Sequence, residues 1–469
     1  METNKKIIIL GAGISGLSAA HVLARFNNSV LVIEKTKDIG GLAVTKQKDS
    51  FRYDLGPHNI HTRLDHIVDY LRSNFTDFYA HLPLAKIYKN GKFIKYPIRG
   101  MSVLGSMRIS KIPFAAISFI TARWLMWLRT PRNDQTLQDW VLNRFGRVVY
   151  SEYFKKYPEK VWGLKAEEID KEVAEKRIPI ISLTELLRAF FLKLTSHHHP
   201  ETVKHNYYLK NGIGGIADFF KENILKNKGL ISTTSTPTRI LVKGNLVSGV
   251  EYTNKNGDTV IEECDFLLST IPLNELIYLF ETVPDKVTFS AGNLDYVSTT
   301  LLFISINKRK LLASPILYFT DSTTWFSRVS DVAAFSSSMV PEGKNLLCLE
   351  FPGSVGDKIW KLSVDELLAH AVTALSEKGV ISKEDIEGAF LERVSHSYPK
   401  FRLGYKKHQD DILNFINSFE NLISYGRQGG FSYINTDMAI HSGFVAANST
   451  VVSKAAGFTG QKYFSIFSE

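Results

Sequence analysis

Cysteine is nearly absent from this chain. Cys264 and Cys348 are its two cysteines in 469 residues, far apart and outside any CxxC or Cys/His cluster. That excludes a disulfide framework and a structural zinc, and it fits a reducing, cytoplasmic compartment. A strong charge of one sign is also missing: 57 basic against 47 acidic residues leave +10. This moderate excess suits an anionic substrate or a membrane surface as well as nucleic acid, and selects none of them. No internal repeat or low-complexity segment occurs, which excludes solenoid and linker architectures. Long apolar runs are lacking too. The most apolar window, Ile112 to Leu128 (IPFAAISFITARWLMWL), holds Pro113 and Arg123 and has 17 residues, fewer than the ~20 of a membrane span. A buried helix of a substrate domain, a monotopic membrane patch and a span all stay open for it. Trp124, Trp127, Arg123 and Arg129 suit an interface, so peripheral membrane contact is an open partner. METNKKIIIL passes straight into an apolar strand, and no signal peptide is expected.

The stretch from Lys6 to Thr45 organises the rest. Ile7 to Leu10 is an apolar run fit for a buried strand, and Gly11, Gly13 and Gly16 follow at GxGxxG spacing before a helical stretch reaching about Phe26. Gly11 permits the tight turn, Gly13 lets a pyrophosphate approach the backbone, and Gly16 lets the helix pack on the strand. Ile14 and Ser15 lie at the helix N-terminus, whose N–H groups and partial positive charge favour an anion. Asn27 and Asn28 turn the chain, and Val30 to Ile33 form a second strand. It ends at Glu34, beside Lys35 and about 20 residues past the last glycine, where a ribose diol wants a carboxylate. A glycine turn alone would be weak evidence. The full strand, helix, strand and acid unit predicts dinucleotide binding.

Gly40, Gly41 and Leu42 then argue for FAD over NAD. This glycine pair resembles the one that extends the fingerprint in flavoproteins such as amine oxidases, protoporphyrinogen oxidases, phytoene desaturases and UDP-galactopyranose mutases. GPHNIHT, from Gly56 and Pro57 to Thr62, resembles the mutases' GPHxxHT segment, where His58 and His61 would face the flavin; loop or core histidines are the bland alternative. Residues 155 to 178 resemble the YxxKVWG…R segment, placing Lys160, Trp162 and Arg177 at matching positions. Val173 and Ala174 stand where a tryptophan is often found. Gly212, Gly214 and Gly215 resemble the glycine loop beside the flavin, and DFLLSTIP (265 to 272) a strand returning to the cofactor. Residues 317 to 337 resemble a segment whose arginine, here Arg328, binds the substrate diphosphate. A permanently charged fork suits that task.

YGRQGGFSYINTDMAIHSGFVAA (425 to 447) resembles the mutase pattern GRxxxΦxYxxxD through Gly426, Arg427, Tyr433 and Asp437, with Asn435 in place of the bacterial aspartate. Met438 and Ala439 would open a closing helix aimed at the flavin's pyrimidine end, where its partial positive charge stabilises an anionic reduced ring. The run His197 to His199 lacks acidic or cysteine partners at ligand spacing, so an exposed loop and no metal are expected.

The predicted fold class is α/β: a Rossmann-type, GR2-like FAD-binding domain with an inserted α+β substrate domain containing a mainly helical part. The expected FAD domain is discontinuous over residues 1–75, 205–275 and 415–469. The substrate domain takes 76–204 and 276–414, helical over 100–200 and sheet-forming over 290–414. The resemblance implies an FAD enzyme acting on a nucleotide diphosphate sugar, in the manner of a UDP-galactopyranose mutase of polysaccharide biosynthesis. In that family reduced flavin N5 attacks the anomeric carbon, the nucleotide diphosphate leaves, the ring opens through an iminium and recloses at another size without net redox. His58, His61, Arg177, Arg328, Arg427 and Tyr433 are the catalytic set it implies, with NADH or NADPH as reductant and no nucleic-acid partner. The alternative is a true FAD oxidoreductase, similar to protoporphyrinogen oxidase, an amine oxidase or a desaturase, oxidising an apolar or membrane-held substrate. A non-enzymatic flavin scaffold is the third reading.

Overall fold

The computed structural model describes residues 5–62, 64–81, 84–89, 91–96, 107, 109–128, 134–178, 206–309, 312, 314–321 and 323–452. The run His197 to His199 lies outside the described residues, as does the Arg177 side chain. The chain divides into two units, one comprising residues 1–80, 206–295 and 406–469, the other 81–205 and 296–405.

The first unit is built on a parallel sheet. Strand β1 (Lys6–Leu10), helix α1 (Ile14–Arg25) and strand β2 (Ser29–Ile33) are consecutive. In the five-stranded sheet the order is Leu230–Ser232, β2, β1, Phe266–Ser269, Leu422–Ser424, with every neighbouring pair parallel. The near-continuous apolar strands IIIL, VLVI and FLL follow from burial on both faces. Growth of the sheet to both sides of β1 makes it doubly wound, which leaves a crevice beyond the carboxyl ends of the central strands. A three-stranded antiparallel sheet of Thr236–Lys243, Leu246–Thr253 and Thr259–Glu263 is appended. Cys264 is buried, and that burial pushes its thiol up to about 12, leaving it an inert core group.

The second unit carries a seven-stranded mixed sheet in the order Ile386–Pro399, Tyr296–Ile306, Asn345–Gly353, Arg328–Asp331, Ile316–Phe319, Ala85–Lys89, Lys92–Tyr96. Its pairs are antiparallel apart from Ile316–Phe319 against Ala85–Lys89, which run parallel. Helix Val364–Glu377 opens with a capping box in which Ser363 and Glu366 satisfy each other's backbone N–H groups. Leu367, Ala371 and Leu375 of that helix pack on Leu302, Phe319, Phe326, Leu349 and Phe351 of the sheet side.

The helical part of this unit holds Ile112–Leu128, Leu137–Val149, Tyr157–Trp162 and Glu172–Arg177. Leu137 to Phe154, amphipathic in sequence, is not one smooth helix. Gly146 sits at φ +81° inside it, and a π-helical turn follows at Tyr150–Phe154. A Cβ on Gly146 would come within 2.4 Å of the Ser118 carbonyl oxygen. The missing side chain is what lets Ile112–Leu128 lie against this helix.

Candidate functional site

The first unit gathers its glycines around the carboxyl end of β1. The Gly11 N–H donates to the Ile33 carbonyl at 2.9 Å, joining the turn to β2. Gly11 has φ +96°, and a Cβ there would lie 2.5 Å from Thr270 Oγ1. On Gly16 it would lie 2.0 Å from the Gly11 carbonyl oxygen, whereas on Gly13 it would meet nothing within 4 Å. The two flanking glycines are therefore demanded by the protein's own packing, and Gly13 faces open space. Helix α1 has no side-chain cap and no acidic residue in its first turn, so its amino end offers N–H groups to an outside anion.

Gly40 and Gly41 belong to the same structure. The Gly40 N–H donates to the Ala12 carbonyl at 2.7 Å. A Cβ on Gly41 would approach the Gly13 Cα at 3.1 Å. Leu42 follows in the short turn Gly41–Ala43. Glu34 Oε2 accepts the Ala12 N–H at 2.8 Å, while Oε1 accepts the Thr36 N–H and hydroxyl at 2.9 and 2.7 Å. The carboxylate thus pins the glycine turn from the end of β2. Lys35 is instead exposed and pairs with Glu275 at 3.5 Å.

Behind Gly56–Pro57–His58 stands a group that motif reading missed. The Asp54 carboxylate is buried and accepts the Thr45 hydroxyl and the Tyr208 hydroxyl, each at 2.5 Å. Thr45 Oγ1 in turn accepts the Gly214 N–H at 2.8 Å. A Cβ on Gly212 would stand 2.4 Å from that same oxygen. Desolvation pushes the Asp54 carboxyl up to about 6, against the hydrogen bonds from Thr45, Tyr208 and Ile213 that favour its charged form. The clue in sequence was an acid closing the alternating strand FRYD, but its partners Tyr208 and Ile213 lie far along the chain. His58 Nδ1 lies 3.1 Å from the Gly56 carbonyl. His61 is exposed, with Nδ1 2.9 Å from Asn206 Oδ1 on the paired strand.

The closing segment packs on the same cradle. Gly426 has φ +81°, and its absent Cβ would fall 2.8 Å from Ser15 Oγ. The Tyr425 hydroxyl donates to the Ser15 carbonyl, and the Ser442 hydroxyl to Ser15 Oγ, both at 3.2 Å. Gly443, whose Cβ would come within 1.9 Å of Ser18 Oγ, brings helix Thr436–Val452 tight against α1. Arg427 Nε donates to the Ile434 carbonyl at 2.8 Å, Nη2 shares that acceptor, and the guanidinium lies 5.7 Å from the Tyr433 ring centroid. Arg427 therefore clamps the loop carrying Tyr433. Asp437, in the first turn of the closing helix near Met438 and Ala439, is buried and held above the usual carboxylate range by desolvation, opposed by the Thr62 hydroxyl. Its Oδ1 has no hydrogen-bond partner among the described residues, nor does the buried Asn59 Oδ1.

These features fit a flavin dinucleotide. The uncapped α1 terminus and the space over Gly13 suit its pyrophosphate, and Glu34 suits its ribose. Two orphaned buried acceptors can take N–H or O–H donors.

In the second unit, Arg328 lies on the sheet. Its Nε and Nη2 donate to Glu350 Oε1 and Oε2 at 2.5 and 2.7 Å, so the fork that sequence assigned to a diphosphate already holds a carboxylate. Burial disfavours the Arg328 charge, but Glu350 and the nearby Tyr318 and Tyr398 outweigh it and hold the group well above its ordinary value. Lys160 is half-buried against Phe319–Thr324, donating to the Phe319 and Asp321 carbonyls at 2.9 and 3.0 Å and to Thr324 Oγ1 at 2.7 Å. Desolvation lowers it to about 8. Beside this cluster the Trp325 ring stacks on His370 with centroids 3.9 Å apart.

A doubly wound sheet, a glycine-lined phosphate turn and an acid closing β2 define a dinucleotide-binding protein of the flavoprotein type. Residues 14–409 match the model of the flavin containing amine oxidoreductases, and the chain belongs to that family, which implies a bound flavin. Among proteins of known activity, it is 25% identical over 178 residues to the dTDP-fucopyranose mutase of Escherichia coli, covering 37% of this chain and 46% of that one. It is 25% identical over 174 residues to the UDP-galactopyranose mutase of Mycoplasma genitalium, covering 36% and 43%. These alignments span less than half of each relative. Among solved structures, reduced UDP-galactopyranose mutase superposes with TM-score 0.81 at 20% identity, over 98% of this chain and 96% of the other. An oxidoreductase from Methanosarcina mazei gives 0.66 at 15% identity, over 94% and 100%. These likenesses establish the fold. No described helix is long and apolar enough to cross a membrane.

Proposed function

We propose that the chain is an FAD-dependent enzyme that changes the ring form of a nucleotide diphosphate sugar, in the manner of a UDP-galactopyranose mutase. One observation carries the reading. The two mutases it resembles differ in both nucleotide and sugar, so what they share, a pyranose on a nucleoside diphosphate, is the substrate class that the resemblance supports. Bound FAD, reduced by NADH or NADPH, would supply an electron-rich ring nitrogen as nucleophile toward the anomeric carbon.

In this reading the α1 terminus and the Gly13 backbone would neutralise the FAD pyrophosphate, Glu34 would hold its ribose, and Gly40, Gly41 and Gly56 would line the cofactor. The amino end of the closing helix, where Asp437, Met438 and Ala439 lie, would hold the pyrimidine edge of the ring, and its partial positive charge would favour negative charge there. The resemblance supports Arg328, Arg427 and Tyr433 as candidates for balancing the leaving diphosphate, and His58, His61 and Arg177 as candidates for orienting flavin and sugar. Glu350 has a part that the sequence did not assign: it holds the Arg328 fork in one plane, so that the guanidinium edge left over is presented rigidly. The residues 1–75, 205–275 and 415–469 would be the FAD domain and the remainder the substrate domain, in a cytoplasmic enzyme.

The test is to reduce the purified yellow protein and incubate it with UDP-galactopyranose and a dTDP-linked 6-deoxyhexose, following furanose formation by chromatography. Turnover by the reduced form alone supports the reading. Failure on every nucleotide sugar, with consumption of oxygen or a dye by the oxidised form on an apolar amine or porphyrinogen, would instead establish the oxidoreductase alternative.

A further inference from the structure

Helix Ile112–Leu128 docks through Ala115 and Ser118, the side that meets Gly146, and among the described residues its other side is exposed. Phe114, Ile117, Ile120, Trp124 and Leu128 are between 52% and 66% exposed. At 100° per residue they form one stripe covering about a third of the helix circumference. A globular protein does not leave such a contiguous apolar stripe in water without a use for it. The surrounding sequence has an unusual charge pattern. Residues 78 to 133 contain ten Lys and Arg and no Asp or Glu, which equals the whole net charge of the chain, +10. Two of these cations are internally matched: Lys89 and Lys111 both pair with Glu152. That shared partner brings the tip of the hairpin Ala85–Lys89/Lys92–Tyr96 to the start of the apolar helix, and Lys92 and Lys95 of the hairpin are exposed.

We infer that this face is a monotopic docking surface for an anionic phospholipid bilayer. The helix is ~25 Å long, short of the ~30 Å hydrocarbon core, so it lies in the interfacial plane and does not cross. Phe114, Ile117, Ile120, Trp124 and Leu128 enter the acyl boundary, and the basic hairpin reaches the phosphate layer. Charge complementarity selects a lipid surface over a second copy of the chain, because two such faces would bring like charges together. It also selects lipid over an apolar protein partner, which would leave the cations unmatched. The inference stands independently of the sugar-mutase reading.

The test uses the full chain with its flavin. Vesicles of phosphatidylcholine with 30 mol% phosphatidylglycerol should retain it at least ~10-fold better than phosphatidylcholine alone, with the gain lost in high salt. Ile120→Glu with Trp124→Glu, two exposed positions, should abolish that retention at unchanged flavin content and unchanged melting temperature. Lys92→Glu with Lys95→Glu should weaken it by a smaller factor. Retention of the Ile120→Glu, Trp124→Glu variant equal to wild type would overturn the proposal. So would a wild-type protein that ignores both vesicle types, or a dimer in solution that the same pair of substitutions turns into a monomer.

Discussion

The two units bear their candidate functional residues in opposite ways. In the first, the cradle is written in backbone: Gly11, Gly16, Gly41, Gly212 and Gly426 each stand where a Cβ would strike a neighbour at 2.0 to 3.1 Å. In the second, the notable groups are long charged side chains that bond to other elements, Arg328 to Glu350 on the neighbouring strand and Lys160, from helix Tyr157–Trp162, to the Phe319–Thr324 turn. A backbone site tolerates few residue types, so it leaves a readable motif. A side-chain site can be built from many pairings, and the residue that completes it can lie anywhere in the chain.

Substitutions can break this comparison. The largest effect should come from Gly16→Val, where the side chain meets the Gly11 carbonyl at 2.0 Å. The loss should exceed the ~1–3 kcal/mol of ordinary overpacking, and the variant should be insoluble or flavin-free in a spectrum of the purified protein. Next comes Glu350→Ala, which strands a buried guanidinium. Urea denaturation should show a loss of about 3–5 kcal/mol, with flavin content retained if the first unit folds by itself. Arg328→Ala should likewise keep the flavin while nucleotide-sugar binding falls. Equal flavin loss in both units' variants would erase the distinction.

A smaller effect should follow pH. Asp54 titrates near 6 in the folded chain and near 4 when unfolded. Its folded value is raised, so the stability it allows is complete below about 4 and is lost as pH rises through about 6. The loss should be roughly 3 kcal/mol. Asp54→Asn should flatten this part of the pH–stability curve measured by thermal melting; an unaltered slope would mean that Asp54 is ionised throughout. The smallest effect is expected for Ser363→Ala, about 1 kcal/mol from the lost cap, with no change in flavin content.

The sequence was most legible where periodicity and glycine coincide. The strands at 7–10 and 30–33 and the helix after Gly13 lie within a residue or two of their expected positions. The carboxylates were harder. Asp54 lies just before the GPHNIHT segment, yet its partner Tyr208 is 154 positions away, and no local pattern announces such a pair. Glu350 was hidden in the same way, 22 residues beyond the arginine it holds. For residues 112 to 128, composition showed an apolar helix but could not show which face would be covered. The answer depended on Gly146, whose missing Cβ admits one side of the helix and leaves the other outward.

Gly13 gives the most direct test of the central claim, that the first unit is a flavin cradle formed by backbone. A Cβ at this position meets no protein atom within 4 Å, so Gly13→Ala should leave the folding of the flavin-free protein unchanged while obstructing the pyrophosphate. Flavin bound per chain, read from the visible absorbance of Gly13→Ala beside wild type, should fall at least ~10-fold at equal apo-protein melting temperature. Full flavin occupancy in the variant would contradict the account.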